Sequence, residues 1–229
     1  IKNLIMNSKF TIGFVGMTHL GLNYLVASAQ KGFNVIGFEN KKEKLLKLNK
    51  YQFELSEPNL VEMAKNNKKR ISFQNNLDQL SKCNLVYICP DIPTDDSGKS
   101  NIKNLKILIK KVIKKLGSNS LLIILSQVQP GFVRSIKINH KRLYYQVETL
   151  IFGNSVERAI NPERIIIGSE NKKKRINKQY LNYLRKFNCP IIHMNYESAE
   201  LAKISINVLL ASSVTTTNIL ASACENVAA

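Results

Sequence analysis

Six residues, Gly16-Met17-Thr18-His19-Leu20-Gly21, carry the first chemistry readable in this chain. An apolar run containing Phe10, Ile12, Phe14 and Val15 precedes them. A helical pattern follows, with Leu22, Leu25, Val26 and Ala29 on one face, and stops near Gly32. A second apolar stretch, Phe33 to Phe38, ends at Glu39. Strand, glycine-spaced turn, helix, strand and acid, in that order, is the layout of a dinucleotide-binding turn. The backbone bends at the first glycine and the helix N-terminus offers free N–H groups to a pyrophosphate. The acid accepts hydrogen bonds from ribose hydroxyls, which favours NAD over NADP. On this reading Gly16, Thr18, His19, Leu20, Gly21 and Glu39 contact the cofactor. The fingerprint wants glycine in the middle, where this chain has Thr18. A side chain there obstructs close approach of backbone to phosphate, although its hydroxyl could donate a hydrogen bond. The competing reading is a plain strand–turn–helix that uses glycine only for positive φ.

Strands and helices alternate along the rest of the chain. The patterns predict helices over 41–48, 59–65, 102–116 and 171–187, another starting near Gly131, and helix from Glu197 onwards. They predict strands over 70–73, 85–89, 121–125, 143–147, 164–167 and 190–193. A helical turn is expected over 77–81 and a loop over 90–100. Strands separated by helices imply an α/β fold with a doubly wound parallel sheet of the Rossmann type. Ligands of such sheets sit at the C-terminal strand ends, so the loops after Val15, Phe38, Cys89 and Leu125 are where function is expected.

Composition narrows the classes. With 229 residues and 44% hydrophobic content, the chain can bury a sizeable core. No unbroken apolar run approaches the roughly 20 residues of a membrane span, and no membrane role is expected. The first residues lack the apolar core of a secretory signal. Residues 1–8 are expected to form a disordered leader. Cys83, Cys89, Cys189 and Cys224 are scattered, as reduced thiols of a cytoplasmic protein would be. His19, His140 and His193 show no metal-ligand spacing, so no metal is expected. The formal charge of +18 suits an anionic partner. Its lysines, however, are spread over helix faces without interleaved aromatics, which argues against nucleic acid.

Seven segments, in order, resemble one family, the UDP-glucose/GDP-mannose dehydrogenases that oxidise nucleotide sugars. The family's G-x-G-Y-V-G-L turn resembles Gly16 to Leu22, and its E-P-G-L resembles Glu57-Pro58-Asn59-Leu60. A strand followed by T-P resembles Val86 to Pro93. S-T-V-x-P-G-T resembles Ser126-Gln127-Val128-Gln129-Pro130-Gly131-Phe132. S-P-E-x-L-x-x-G resembles Gln146 to Gly153, and P-x-R-I-V-I-G resembles Pro162 to Gly168. A-E-x-x-K-x-x-x-N matches Ala199 to Asn207. The resemblance covers about residues 9–229.

It implies an NAD-binding domain over 9–196 and the start of a helical central domain, incomplete here, over 197–229, which makes the dimer interface. It implies oxidation of the C6 alcohol of a UDP- or GDP-linked sugar to a carboxylate with two NAD, through an aldehyde and a cysteine thioester. Glu148 would be the acid/base and water-orienting carboxylate. Lys203 and Asn207 would stabilise the oxyanion, Thr149 and Leu150 would line the sugar-nucleotide site, and Pro93 and Gln127 would adjoin the cofactor. Lys203 and Asn207 are four apart and share a helix face. The competing reading pairs Lys203 with Glu200 on a solvated face.

The departures from the family's motifs fall at the chemistry: Thr18 for glycine, Ile92, Gln127 and Phe132 for threonines, and Gln146-Val147 for Ser-Pro. The family's nucleophilic cysteine lies beyond Ala229, and Cys224 does not match its motif. This chain alone is therefore expected not to complete the thioester chemistry. A non-catalytic nucleotide-binding or interaction protein on the same fold is the alternative.

Overall fold

A computed structural model describes residues 10–93 and 100–227. The expected leader and most of the loop after Pro93 lie outside the described residues. The first half reads β1 (Thr11–Val15), α1 (His19–Gln30), β2 (Asn34–Phe38), α2 (Lys42–Asn49), α3 (Leu60–Asn66), β3 (Ile71–Gln74) and β4 (Leu85–Ile88). The second half reads α4 (Lys103–Ile113), β5 (Leu121–Ile124), β6 (Leu143–Gln146), α5 (Ser155–Ile160), β7 (Ile165–Ser169), α6 (Lys178–Leu184), β8 (Ile191–Asn195) and α7 (Tyr196–Val227). Eight strands form one sheet in the order β3-β2-β1-β4-β5-β6-β7-β8.

Leu85, Val86, Tyr87 and Ile88 of β4 are fully buried, as a central strand covered on both faces requires. Their side chains alternate between two cores. Tyr87 joins Phe14, Leu25 and Tyr183 on one face, while Val86 and Ile88 join Val15, Ile124 and Tyr145 on the other.

The first six strands in sheet order are parallel, as expected; β7 is antiparallel to β6, and β8 is parallel to β7. The reversal matters for the site. Antiparallel neighbours are joined at one end, so the link from β6 to β7 stays at the C-terminal edge of the parallel strands. That link carries Glu148, Thr149, Leu150, Phe152 and the short helix α5, which packs on α1. The chain then descends through β7. After α6 and β8 it begins α7 at the opposite edge, and α7 climbs back along β7 and β6.

Three expectations need correction. The segment after Gly131 forms a single 3-10 turn, Val133–Ser135, rather than a helix. The helix expected over 171–187 shrinks to Lys178–Leu184 with a 3-10 turn, Arg185–Phe187, after it. Asn177 caps its start, its side chain accepting from the Gln179 N–H at 3.0 Å. The four adjacent cations at 172–175 precede that cap, where the helix dipole repels positive charge. Third, α7 is by length and composition long and apolar enough to cross a membrane, with a mean hydropathy of 1.4 over an 18-residue stretch. The interleaved serines and threonines conceal this in a search for unbroken apolar runs. Only Tyr196, Ala199, Glu200 and Lys203 of α7 are buried; Leu209, Leu210, Ile219 and Leu220 are each at least 60% exposed.

Candidate active site

The glycine turn is built by close approach. Gly16 has φ +98°, and a side chain on it would meet Pro90 at 2.9 Å. A Cβ on Gly21 would lie 2.1 Å from the Gly16 carbonyl oxygen, so the first turn of α1 packs directly on the loop before it. Thr18 needs no such freedom: its φ of −85° and ψ of −177° are ordinary extended backbone. Its hydroxyl donates to the Cys89 carbonyl at 2.8 Å. The extra side chain is tied to the end of β4, so its donor is committed within the protein. The first N–H groups of α1 have no helical acceptor and face the C-terminal edge of the sheet.

His19 adds a contact that its neighbourhood in sequence does not show. Its Nε2 lies 2.6 Å from Glu57 Oε1, and its ring stacks on Phe152 with centroids 4.3 Å apart. Glu57 is buried and also accepts from the Gly153 N–H, the Ser155 N–H and the Ser155 hydroxyl. Burial alone would raise its pKa. The hydrogen bonds from His19, Ser155 and Gly153 outweigh this and hold the carboxyl below its ordinary value. One carboxylate thus binds the start of α1, the 150s loop and the N-terminus of α5.

Glu39 stands where a ribose-binding acid belongs, just past β2. It accepts the Lys41 N–H at 3.1 Å and pairs with Lys44 at 3.3 Å.

Across a cavity of about 350 Å³ from His19 and Leu20 lie Gln127, Glu148 and Leu150. Pro90, Asp91, Ile92 and Phe152 complete its lining. Glu148 Oε1 forms an ion pair with Lys203 Nζ, and its Oε2 accepts the Leu150 N–H at 3.0 Å. Lys203 is 7% exposed, and its partner is Glu148 rather than Glu200, three residues earlier on its own helix. Glu200 is fully buried, accepting the Gly131 N–H at 2.6 Å and the Val133 N–H at 2.8 Å. It fastens α7 to the loop after β5, caps the 3-10 turn there, and so sets Lys203 one turn further along at the cavity. Asn207 follows on the same face and donates to Gln127 Oε1 at 3.5 Å.

Of the expected site residues, His19, Leu20, Gln127, Glu148 and Leu150 line the cavity together, with Lys203 behind Glu148. Thr149 lies beside it, its carbonyl accepting from Arg158. Pro93 is exposed and its carbonyl accepts the Asn101 N–H, away from the cavity lining. Sequence reading missed Glu57, Asp91, Phe152 and Glu200 as parts of the site. Glu57 and Glu200 had a signal, their places in the E-P and A-E segments.

A tight turn closed by Gly16 and Gly21, an N-terminal helix end facing the sheet's C-terminal edge, and an acid after β2 together define a dinucleotide-binding domain. The tight turn that a Cβ at Gly21 would destroy is formed, and Thr18 turns its hydroxyl to Cys89, so the residues present fit the cofactor. Residues 10–186 match the family model of the UDP-glucose/GDP-mannose dehydrogenase family, NAD binding domain, and the chain belongs to that family. Its cofactor is NAD.

A UDP-glucose 6-dehydrogenase of Rickettsia felis is 28% identical over 232 residues, covering 94% of this chain and 50% of that protein. A GDP-mannose dehydrogenase structure from Pseudomonas aeruginosa superposes with a TM-score of 0.82 at 20% identity, covering 90% of this chain and 51% of that one. A UDP-glucose dehydrogenase from Pyrobaculum islandicum gives 0.82 at 20% identity, covering 94% and 53%. The chain spans about half or less of the length of the curated relatives it matches. The two structures share the fold.

Proposed function

We propose that this chain is the NAD-binding portion of a nucleotide-sugar dehydrogenase, acting on the C6 alcohol of a UDP- or GDP-linked sugar. The observation that carries the reading is the ion pair between Glu148 and Lys203, held on opposite elements at the mouth of the cofactor cavity. NAD supplies a hydride acceptor. Gly16, Leu20 and Gly21 would receive the pyrophosphate, Glu39 the adenosine ribose, and Gln127 the nicotinamide side. Glu148 would take a proton from a substrate hydroxyl or a water. Lys203, freed from part of its pairing when that proton moves, stabilises a developing oxyanion together with Asn207. Thr149 and Leu150 present the 150s loop to the sugar nucleotide.

A domain division near residue 196, a homodimer built on α7 and a cytoplasmic location complete the proposal. The partly docked, outwardly apolar α7 supports the first two. The name of the Rickettsia relative supports the substrate class.

The test is a thermal-shift and calorimetric titration with NAD, NADP and a panel of UDP and GDP sugars. Ligands that bind the folded state raise the melting temperature by mass action. Saturable stabilisation by NAD, weaker with NADP, with a further shift from one sugar nucleotide, is expected. No sugar nucleotide binding beside bound NAD would leave a nucleotide-binding scaffold without the dehydrogenase role.

A further inference from the structure

Among the described residues lining the cavity, Asp91 is the carboxylate that neither the glycine turn nor the catalytic set uses. Its position is fixed by Pro90, which packs against Gly16 so closely that a Cβ there would lie 2.9 Å from it. The next residue therefore emerges beside the N-terminus of α1. Asp91 lines the 350 Å³ cavity with His19 and Leu20, and also a second cavity of about 370 Å³ with Thr18, His19 and Lys44. It stands where the two meet, exposed to the opening.

The groups that face Asp91 are His19, Lys44, Glu148 and the Thr18 hydroxyl. Both basic groups are already shared, His19 with Glu57 and Lys44 with Glu39. Glu148 is paired with Lys203. Among the described residues, the carboxylates Glu39, Glu54, Glu57, Asp91 and Glu148 thus gather about this opening with the basic groups His19, Lys44, Lys47 and Lys203, inside a chain of net charge +18. Partial burial raises the Asp91 carboxyl above its ordinary value. His19, Lys44 and the Thr18 hydroxyl oppose this, and Glu148 adds to it.

We infer that Asp91 sets the affinity of this domain for its dinucleotide: its carboxylate serves as a built-in anion at the helix end that receives the pyrophosphate, and the cofactor must displace or neutralise it to bind. The inference rests on the NAD reading of residues 10–186. A helix N-terminus attracts one anion readily, and two anions at one helix end repel each other. The carboxylate competes with phosphate and not with the adenosine end, which lies towards Glu39.

The test is calorimetric titration of the whole chain and of Asp91→Asn with NAD, ADP and adenosine at low ionic strength. A melting curve first shows that each protein is folded; an exposed side chain is replaced, so the fold is retained. Asp91→Asn is expected to bind NAD and ADP about tenfold more tightly, a gain of about 1.4 kcal/mol, with adenosine unchanged and the gain shrinking in high salt. Equal or weaker NAD binding by the variant, beside measurable binding by the wild-type chain, would overturn the inference and leave the NAD reading standing. An equal gain for adenosine would also overturn it, because the effect would then not involve phosphate. Absence of binding to both folded proteins at millimolar NAD would refute the NAD reading and the inference together.

Discussion

His19 Nε2 and Glu57 Oε1 approach to 2.6 Å across a sequence separation of 38 residues, and this contact ties the first turn of α1 to the roof of the cavity. Glu57 also holds the Gly153 and Ser155 N–H groups and the Ser155 hydroxyl. Replacing it leaves several buried donors without an acceptor. Glu57→Gln should cost about 2–3 kcal/mol, from hydrogen bonds to a charged group, measured by urea unfolding. The folded-state pKa of Glu57 is lowered, so its contribution is present above the unfolded value near ~4.3 and is lost as pH falls through the folded value. The gap in melting temperature between wild type and variant should therefore close in acid. A gap that is constant down to pH 3 would contradict this account.

Glu200 should give the opposite slope. Burial raises its pKa, and the Val133 and Gly131 N–H groups only partly offset that. A raised folded-state pKa means stability is full below the unfolded value and declines as pH rises through the folded one. Glu200→Gln keeps one acceptor oxygen for the loop after β5 and removes the titration. Melting curves from pH 4 to 7 should show wild type losing stability with rising pH relative to the variant. Parallel curves would mean the buried carboxyl does not titrate there.

The Glu148–Lys203 pair invites a double-mutant cycle. Each single change, Glu148→Gln or Lys203→Met, strands the other charge in a largely buried place, whereas the double change strands neither. An interaction energy of about 1–3 kcal/mol is expected from unfolding measurements. Strict additivity would show that the pair is not formed in solution.

Glu39→Gln bears on cofactor choice. The carboxylate that repels a 2′-phosphate disappears, while Lys44 and Lys41 remain beside the site. NAD affinity should fall and NADP affinity rise, shifting the preference by about tenfold or more, or roughly 1.4 kcal/mol. An unchanged ratio would remove Glu39 from the ribose site.

How far the sequence reveals this site depends on how local each relationship is. Gly16 through Glu39 form one contiguous unit, and its spacing is set by a single strand–helix–strand, so it reads directly. Lys203 and Asn207 read as one helix face for the same reason. The contacts of Asp91, Phe152 and Glu200 do not read, because their neighbours are set by chain paths that no local pattern encodes. Phe152 meets His19 only because β7 runs against β6. Glu200 is buried only because α7 starts at the far edge of the sheet and passes the loop after β5. The shortened α6 shows the converse: an apolar period alone marks no boundary, and the Asn177 cap does.

The length of α7 turns it into a lever. Its 32 residues span about 48 Å at 1.5 Å per residue. Glu200, held by two backbone N–H groups, is the fulcrum near one end. Lys203 lies on the short side of the free arm, and about 36 Å of helix extends beyond it. A tilt at the distal end is therefore reduced many-fold by the time it reaches the ammonium group. The alignment of Lys203 with Glu148 is buffered against motion of the exposed arm, and a twist about the helix axis, which leverage does not diminish, is the movement that would break it.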